Sequence, residues 1–196
     1  QQFLKAFLVV FFSYMAMYLI RNNFKAAQPL LKEELGFTTT ELGYIGFAFS
    51  ITYGIGKTLL GYFVDGKNTK RVISFLLILS SLIVTAMGLL MSAGGSPVGL
   101  LMVLWGLSGF FQSVGGPSSY STIARWTPFE KRGRYLGFWN VSHNIGGAIA
   151  GGLALWGANV FFNGSVVGMF IFPAVIALVI GIVGLFIGKD DPEELG

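Results

Sequence analysis

Three cations interrupt otherwise apolar stretches of this sequence: Arg21 and Lys25 in the first, Lys57 in the second. Tyr14, Tyr18, Arg21 and Lys25 follow one another at intervals of 4, 3 and 4, which places them on one face of a helix with Val9, Phe12, Ala16 and Leu19 opposite. Ser50, Tyr53 and Lys57 repeat the pattern at 3 and 4 and continue to Gly61, while Trp139, Asn140, His143 and Asn144 and then Gln112, Ser113 and Gly116 form two further polar stripes. A charge at a bilayer centre costs about 2.5–3.5 kcal/mol even on a lenient insertion scale, so buried cations normally have acidic partners. Here all 9 acidic residues lie at or beyond the ends of the apolar runs, with Glu33, Glu34 and Glu41 near one end of these helices and Asp65 at the other. Unpaired cations among tyrosines, on stripes that lipid would leave unsatisfied, imply a hydrated cavity that binds an anion.

The cations differ in depth. Arg21 lies about 20 Å along a helix that starts near position 7, too deep to snorkel, and is expected to be a ligand. Lys57 lies about 10 Å from the inner end and is expected to be one too. Lys25 is nearer the outer end, within reach of the headgroups or the cavity mouth, and the headgroups are its expected place. Tyr18 and Tyr53, one or two turns from a cation, are expected to line the cavity with Tyr14, Trp139 and Asn140. His143 is compatible with a helix-bridging hydrogen bond and with binding or proton coupling.

Composition limits the alternatives. The 196 residues are 54% apolar and only 11% charged, against about 25% charged in a soluble domain. Zero cysteines and one histidine exclude disulfides, thiolate sites and multi-imidazole metal centres, so no metal and no cofactor is expected. A membrane phosphohydrolase would need a nucleophile or metal cluster that is not there. The net charge of +4 is not gathered on one basic face, which argues against nucleic acid.

Positioning these stripes requires helices long enough to span a hydrocarbon core about 30 Å thick, or about 20 mainly apolar residues each. Six such runs are predicted, at roughly 5–27, 41–64, 72–93, 97–122, 134–160 and 166–188. The fold class is therefore all-α membrane protein, a six-transmembrane-helix bundle over 1–188. The first run is too long for a signal peptide and has no small-residue cleavage site. Lys and Arg fall in alternate loops: Lys32 alone in the first, Lys67, Lys70 and Arg71 in the second, Arg125, Lys131, Arg132 and Arg134 in the fourth, none in the third and fifth. The second and fourth loops and both ends of the chain are therefore expected on the cytoplasmic side. Gly147 with Gly151, and Gly146 with Ala150, have the small-xxx-small spacing that lets helix backbones approach closely, so the fifth run should be buried among its neighbours. "GIGKT" lacks the first glycine of a phosphate-binding loop, since Ile51 stands there, and Asn163-Gly164-Ser165 matches a glycosylation pattern only by coincidence.

"GYFVDGKNTKR" resembles the signature loop of the major facilitator superfamily, with Gly61, Asp65, Lys70 and Arg71 at its spacing. "YLIRNNFKAAQP", "SITYGIGKTLLGYFVDGKNTK", "LSGFFQSVGGPSSYSTIARWTP", "KRGRYLGFWNVSHNIGGA" and "VVGMFIFPAVIAL" together resemble the organophosphate:phosphate antiporter family, in its hexose-phosphate branch, over nearly the whole chain. The resemblance implies exchange of a sugar phosphate, hexose 6-phosphate, for inorganic phosphate across a bacterial cytoplasmic membrane. It implies a 3+3 inverted repeat, phosphate contact by Arg21 with Lys57 nearby, and a cavity lined by His143, Tyr14, Tyr18 and Tyr53. It also implies a cytoplasmic gate at Asp65, Lys70 and Arg71, the aspartate capping or pairing with a neighbouring helix.

Two departures qualify it. Glycerol-3-phosphate antiporters of that family carry Arg-Lys where this chain has Arg21-Asn22, which favours the hexose-phosphate branch. Family members have twelve helices, with a second arginine from the other half, so the chain is expected to be an N-terminal half whose partner is the missing C-terminal six helices. "GKDDPEELG", 188–196, would then open the central linker, from 189 onward, and Gln1 would not be the natural start. The rival readings are a glycerol-3-phosphate antiporter and a transporter-like sugar-phosphate sensor.

Overall fold

A computed structural model describes residues 1–95 and 97–195. Seven α-helices follow in order: α1 (Gln2–Leu35), α2 (Thr39–Val64), α3 (Thr69–Ser92), α4 (Val98–Gln112), α5 (Gly115–Trp126), α6 (Phe129–Phe161) and α7 (Val166–Phe186), then a 3-10 turn at Pro192–Leu195. α4 and α5 together make the fourth expected span, broken at Ser113–Val114. α1 packs closely just after the break: a Cβ on Gly115 would lie 2.7 Å from the Tyr14 ring and 2.8 Å from Met17 Sδ.

α1 runs eight residues past its expected end. Pro29 stands inside the helix, where it removes the amide that would bond the Lys25 carbonyl, yet the helix persists to Leu35 and stops at Gly36. That glycine, at φ 72°, returns its N–H to the carbonyls of Leu31 and Lys32. Thr38 and Glu41 form a reciprocal capping box at the start of α2, and Glu34 accepts the first amide of α7, Val166 N–H, at 3.1 Å.

α1, α3, the α4–α5 pair and α7 are long and apolar enough to cross a membrane. α2 and α6 are long enough, at 26 and 33 residues, but carry the polar stripes and so fall short in hydropathy. α1 is central to the bundle: it touches α3, α5, α6 and α7. The most extensive pairings are α3 with α7, α2 with α4 and α1 with α6. Exchanging the first three spans with the last three turns the α1–α6 pairing into α4–α2 and returns α3–α7 to itself, as an inverted repeat requires. The α6–α7 contact has no α2–α3 counterpart of comparable extent.

Lipid gives no hydrophobic reason for helices to associate, so close backbone approach has to supply the contact. Each of the three pairings is closed by a glycine. A Cβ would stand 2.5 Å from the Met15 carbonyl oxygen at Gly146, 2.6 Å from the Phe49 carbonyl oxygen at Gly109, and 2.6 Å from Ser74 Oγ at Gly184. α6 packs among α1, α5 and α7 through the face that carries Gly146, while Phe138, Val141, Ile145, Ile149 and Trp156 are exposed on the rest of the helix.

At the end of the bundle that carries the α2–α3 loop, the three residues expected to form a gate are placed differently from one another. Asp65, the C-cap of α2, is exposed, as is Arg71. Lys70 is buried in the second position of α3 and its Nζ donates to the Gly184 carbonyl of α7 at 3.1 Å. The three therefore do not form one cluster. The capping acid is Asp190, in the segment expected to open a linker. Fully buried, it accepts from the amides of Thr69 at 3.0 Å and Lys70 at 2.8 Å, from the hydroxyl of Thr122 at 2.9 Å, and from the guanidinium of Arg125. Trp126 Nε1 donates to its carbonyl at 2.8 Å. The bundle therefore extends past 188 and ties α3, α5 and α7 together through one carboxylate.

Removing one partner of a buried ion pair costs about 3–5 kcal/mol. Asp190→Ala is expected to lower the thermal-unfolding midpoint in detergent by several degrees, whereas Asp65→Ala, at an exposed cap, is expected to shift it by no more than about 0.5 kcal/mol equivalent.

Candidate functional site

Arg21 is carried at the middle of α1, where Asn23 fixes the helix by donating to the Met169 carbonyl of α7 at 3.1 Å. The Arg21 guanidinium carbon lies 4.4 Å from the Tyr18 ring centroid, 4.6 Å from Tyr53 and 5.5 Å from Phe49. Such contacts contribute about 0.5–2 kcal/mol each, more where water is excluded. They stabilise the cation without neutralising it. Its Nε donates to Gln112 Oε1 at 3.2 Å, and Gln112 in turn donates from Nε2 to Ser108 Oγ at 3.0 Å, one turn back on α4. A neutral amide thus occupies the place where a carboxylate would normally sit, and Arg21 Nη2 is buried with no hydrogen-bond partner.

No acid reaches this group. Arg125 pairs with Asp190 and Asp191, whereas Arg21, Lys25 and Lys57 are in no ion pair with a described residue. Glu34 and Glu41 are committed to the starts of α7 and α2.

A cavity of about 440 Å³ opens over Arg21 and is lined also by Lys25 and Gln28 of α1, Ser50 and Tyr53 of α2, and Trp105 of α4. This departs from expectation in several places. Lys25, expected at the headgroups, is exposed and lines the cavity, whereas Lys57, also exposed, stands one turn beyond Tyr53, with Nζ 6.0 Å from that ring, outside the lining. Tyr14 and Trp139 do not line it either. They are buried, stacked with centroids 4.6 Å apart at 22°, and form a wall between α1 and α6. Asn140 is exposed on α6, its carbonyl accepting from Asn144 Nδ2 at 3.2 Å.

His143 lies behind Tyr18, ring centroids 5.1 Å apart, and 5.8 Å from Tyr14. Its Nδ1 and the Trp139 Nε1 are buried without partners. The helix-bridging hydrogen bond considered for His143 does not form at Nδ1; the ring meets α1 through aromatic contacts instead. Gln112 is the functional side chain that the polar stripes indicated only in outline. Its signal was an amide on an apolar helix four residues after Ser108.

The site as a whole is a cation in an aromatic cradle, facing a cavity of mixed aromatic and polar lining, with its local negative charge withheld. Gln112→Glu would supply that charge at the existing 3.2 Å contact. Charged hydrogen bonds contribute about 1.5–3 kcal/mol, so anion affinity is expected to fall at least ~10-fold with the unfolding midpoint unchanged or higher, measured by isothermal titration with inorganic phosphate.

Comparison with known proteins agrees with this architecture. The hexose-6-phosphate:phosphate antiporter of Salmonella typhimurium is 55% identical over 99% of this chain, and its counterpart from Escherichia coli strain K12 is 54% identical. The glycerol-3-phosphate transporter of Bacillus subtilis is 36% identical over 98% of the chain. The chain spans 42–43% of the length of these curated relatives. The crystal structure of a bacterial homologue of the human lysosomal transporter Spinster, inward-facing and unoccupied, superposes with a TM-score of 0.81 at 17% identity, over 95% of this chain and 43% of that one, and shares the fold. The Major Facilitator Superfamily model matches residues 7–196. On a match of that extent, and on a bundle of the same architecture, the chain belongs to the major facilitator superfamily.

Proposed function

We propose that this chain is the N-terminal six-span half of an antiporter that exchanges hexose 6-phosphate for inorganic phosphate across a bacterial inner membrane. The single observation that carries the proposal is Arg21, cradled by Tyr18, Tyr53 and Phe49 and tethered by a neutral amide, with no carboxylate in reach. A guanidinium so placed has donors to give to a phosphoryl group, which arginine's planar fork matches bidentately.

The same charge provides a reason for obligatory exchange. By the family resemblance, the other half contributes a second arginine across the cavity. Closing the empty cavity would bring unpaired like charges together out of water, whereas a bound phosphate dianion neutralises them and lets the halves approach. Alternating access then follows from one half rocking against the other about a midplane site. Tyr14 and Trp139 hold α1 against α6, and His143 backs Tyr18, so their part is to position the cradle. Asn140 and Lys57, exposed on the open side of the bundle, face the space where the sugar and the other half would lie. Asp65 and Arg71 are left for contacts of the inner end with that half.

The alternation of Lys and Arg among the loops supports cytoplasmic placement of both ends of the chain. Greater identity to the hexose-6-phosphate antiporters than to the glycerol-3-phosphate transporter, 55% against 36%, supports the hexose branch.

The test is counter-flow of labelled phosphate in proteoliposomes of the full-length transporter, against hexose, triose and glycerol phosphates. Hexose 6-phosphate is expected to drive the largest counter-flow. Arg21→Lys is expected to reduce exchange at least ~100-fold, because a point charge does not reproduce a bidentate contact. Exchange near the wild-type rate in that variant, or none in the wild type, would overturn the proposal; the latter outcome would favour a sensor.

A further inference from the structure

We infer that Lys25 is the second cation that this half brings to the substrate site and that, with Arg21, it selects doubly charged phosphoryl groups over singly charged ones. The inference rests on the exchange reading above and adds to it a residue and a charge requirement. Lys25 follows Arg21 by one helical turn on the same face of α1, about 6 Å along the axis, and both line the same cavity of about 440 Å³. That volume is within the usual range of small-molecule pockets.

The surroundings leave the ammonium uncommitted. Lys25 is in no ion pair. Of the acids on its side of the bundle, Glu34 accepts the first amide of α7, Glu41 accepts the Thr38 amide of the α2 capping box, and Glu33 is exposed eight residues further along α1 and in no ion pair. The cavity wall beside it is neutral and polar, with Gln28 on α1 and Ser50 on α2, whose Oγ donates to the Gly46 carbonyl and keeps its lone pairs. Lys57 cannot take this part from its observed place, because it stands on the other side of Tyr53 and outside the lining.

Charge counting completes the argument. A phosphate monoester carries about −1.5 to −2 near neutral pH, and Arg21 neutralises one unit. Until the other half closes its own arginine onto the ligand, the remaining charge stays uncompensated in a partly desolvated site unless a second cation of this half meets it. Lys25 is the cation the cavity offers. The Coulomb term scales with the charge product, so a sulfate monoester, with one negative charge and similar shape, gains less from it.

The experiment measures uptake of glucose 6-phosphate and its inhibition by glucose 6-sulfate in proteoliposomes of the full-length transporter. Lys25→Gln is expected to raise the KM for glucose 6-phosphate at least ~10-fold, to change the maximal rate by less than about threefold, and to narrow the preference for phosphate over sulfate ester. Lys25→Arg is expected to restore both. If Lys25→Gln is poorly folded, Lys25→Cys in an otherwise cysteine-free background can be treated with aminoethyl methanethiosulfonate, which rebuilds a cation at that position. KM is expected to recover on treatment, and glucose 6-phosphate is expected to slow the modification. An unchanged KM and unchanged ester preference in Lys25→Gln, or no recovery and no protection in Lys25→Cys, would overturn the inference while leaving the exchange reading intact. So would a defect that follows only the anionic-lipid content of the vesicles, since that would place the ammonium among headgroups. Absence of exchange in the wild type would instead overturn the reading on which it rests.

Discussion

A guanidinium in a membrane protein is tolerable only if its surroundings lower the energy of the charge, and the usual way is to give it a carboxylate. Here that way is closed. Gln112 sits where an acid would be, aromatic faces supply electrostatic support without a counter-charge, and nearby acids are engaged at helix starts. The rest of the bundle can be understood as maintaining this condition. Glu34 and Glu41 each stabilise a helix terminus and, by doing so, are held away from the cavity. Asp190, the most thoroughly bonded acid, neutralises Arg125 at the opposite end.

Much of this was legible in the sequence because transmembrane helices report themselves through length and hydropathy, and cations inside apolar runs are rare enough to be conspicuous. Arg21, Tyr18 and Tyr53 could be placed on facing stripes from spacing alone. Depth along a helix was a poorer guide. Lys25 and Lys57 are each four residues from a cradle residue, Arg21 and Tyr53, but α1 and α2 run antiparallel, so the two lysines lie on opposite sides of the cradle along the membrane normal. Which of them shares the cavity depends on where α4 brings Trp105 and on the course of α1 through Pro29, and neither is written in helical periodicity. Tyr14 and Trp139 misled for a related reason: a stripe identifies the face of a helix but not whether a neighbouring helix covers it.

The end of the bundle around Asp190 was the least legible part. An aspartate after an apolar run, in the company of lysine, proline and glutamates, has the composition of a solvated tail. Only the fold reveals that Asp190 meets the first amides of α3 and the guanidinium of Arg125. The cue that existed was an arginine at the end of the fourth span with no acid near it in sequence.

The glycine seam between α1 and α6 bears on how the protein can move. Because the Met15 carbonyl and the α6 backbone are already at the limit of approach, these two helices have no slack for sliding past one another. Tyr18 and His143, with ring centroids 5.1 Å apart, are therefore carried by one tightly joined helix pair. A rearrangement of the bundle would move that pair as a single lever and fall on joints without such a seam, such as that between α2 and α3.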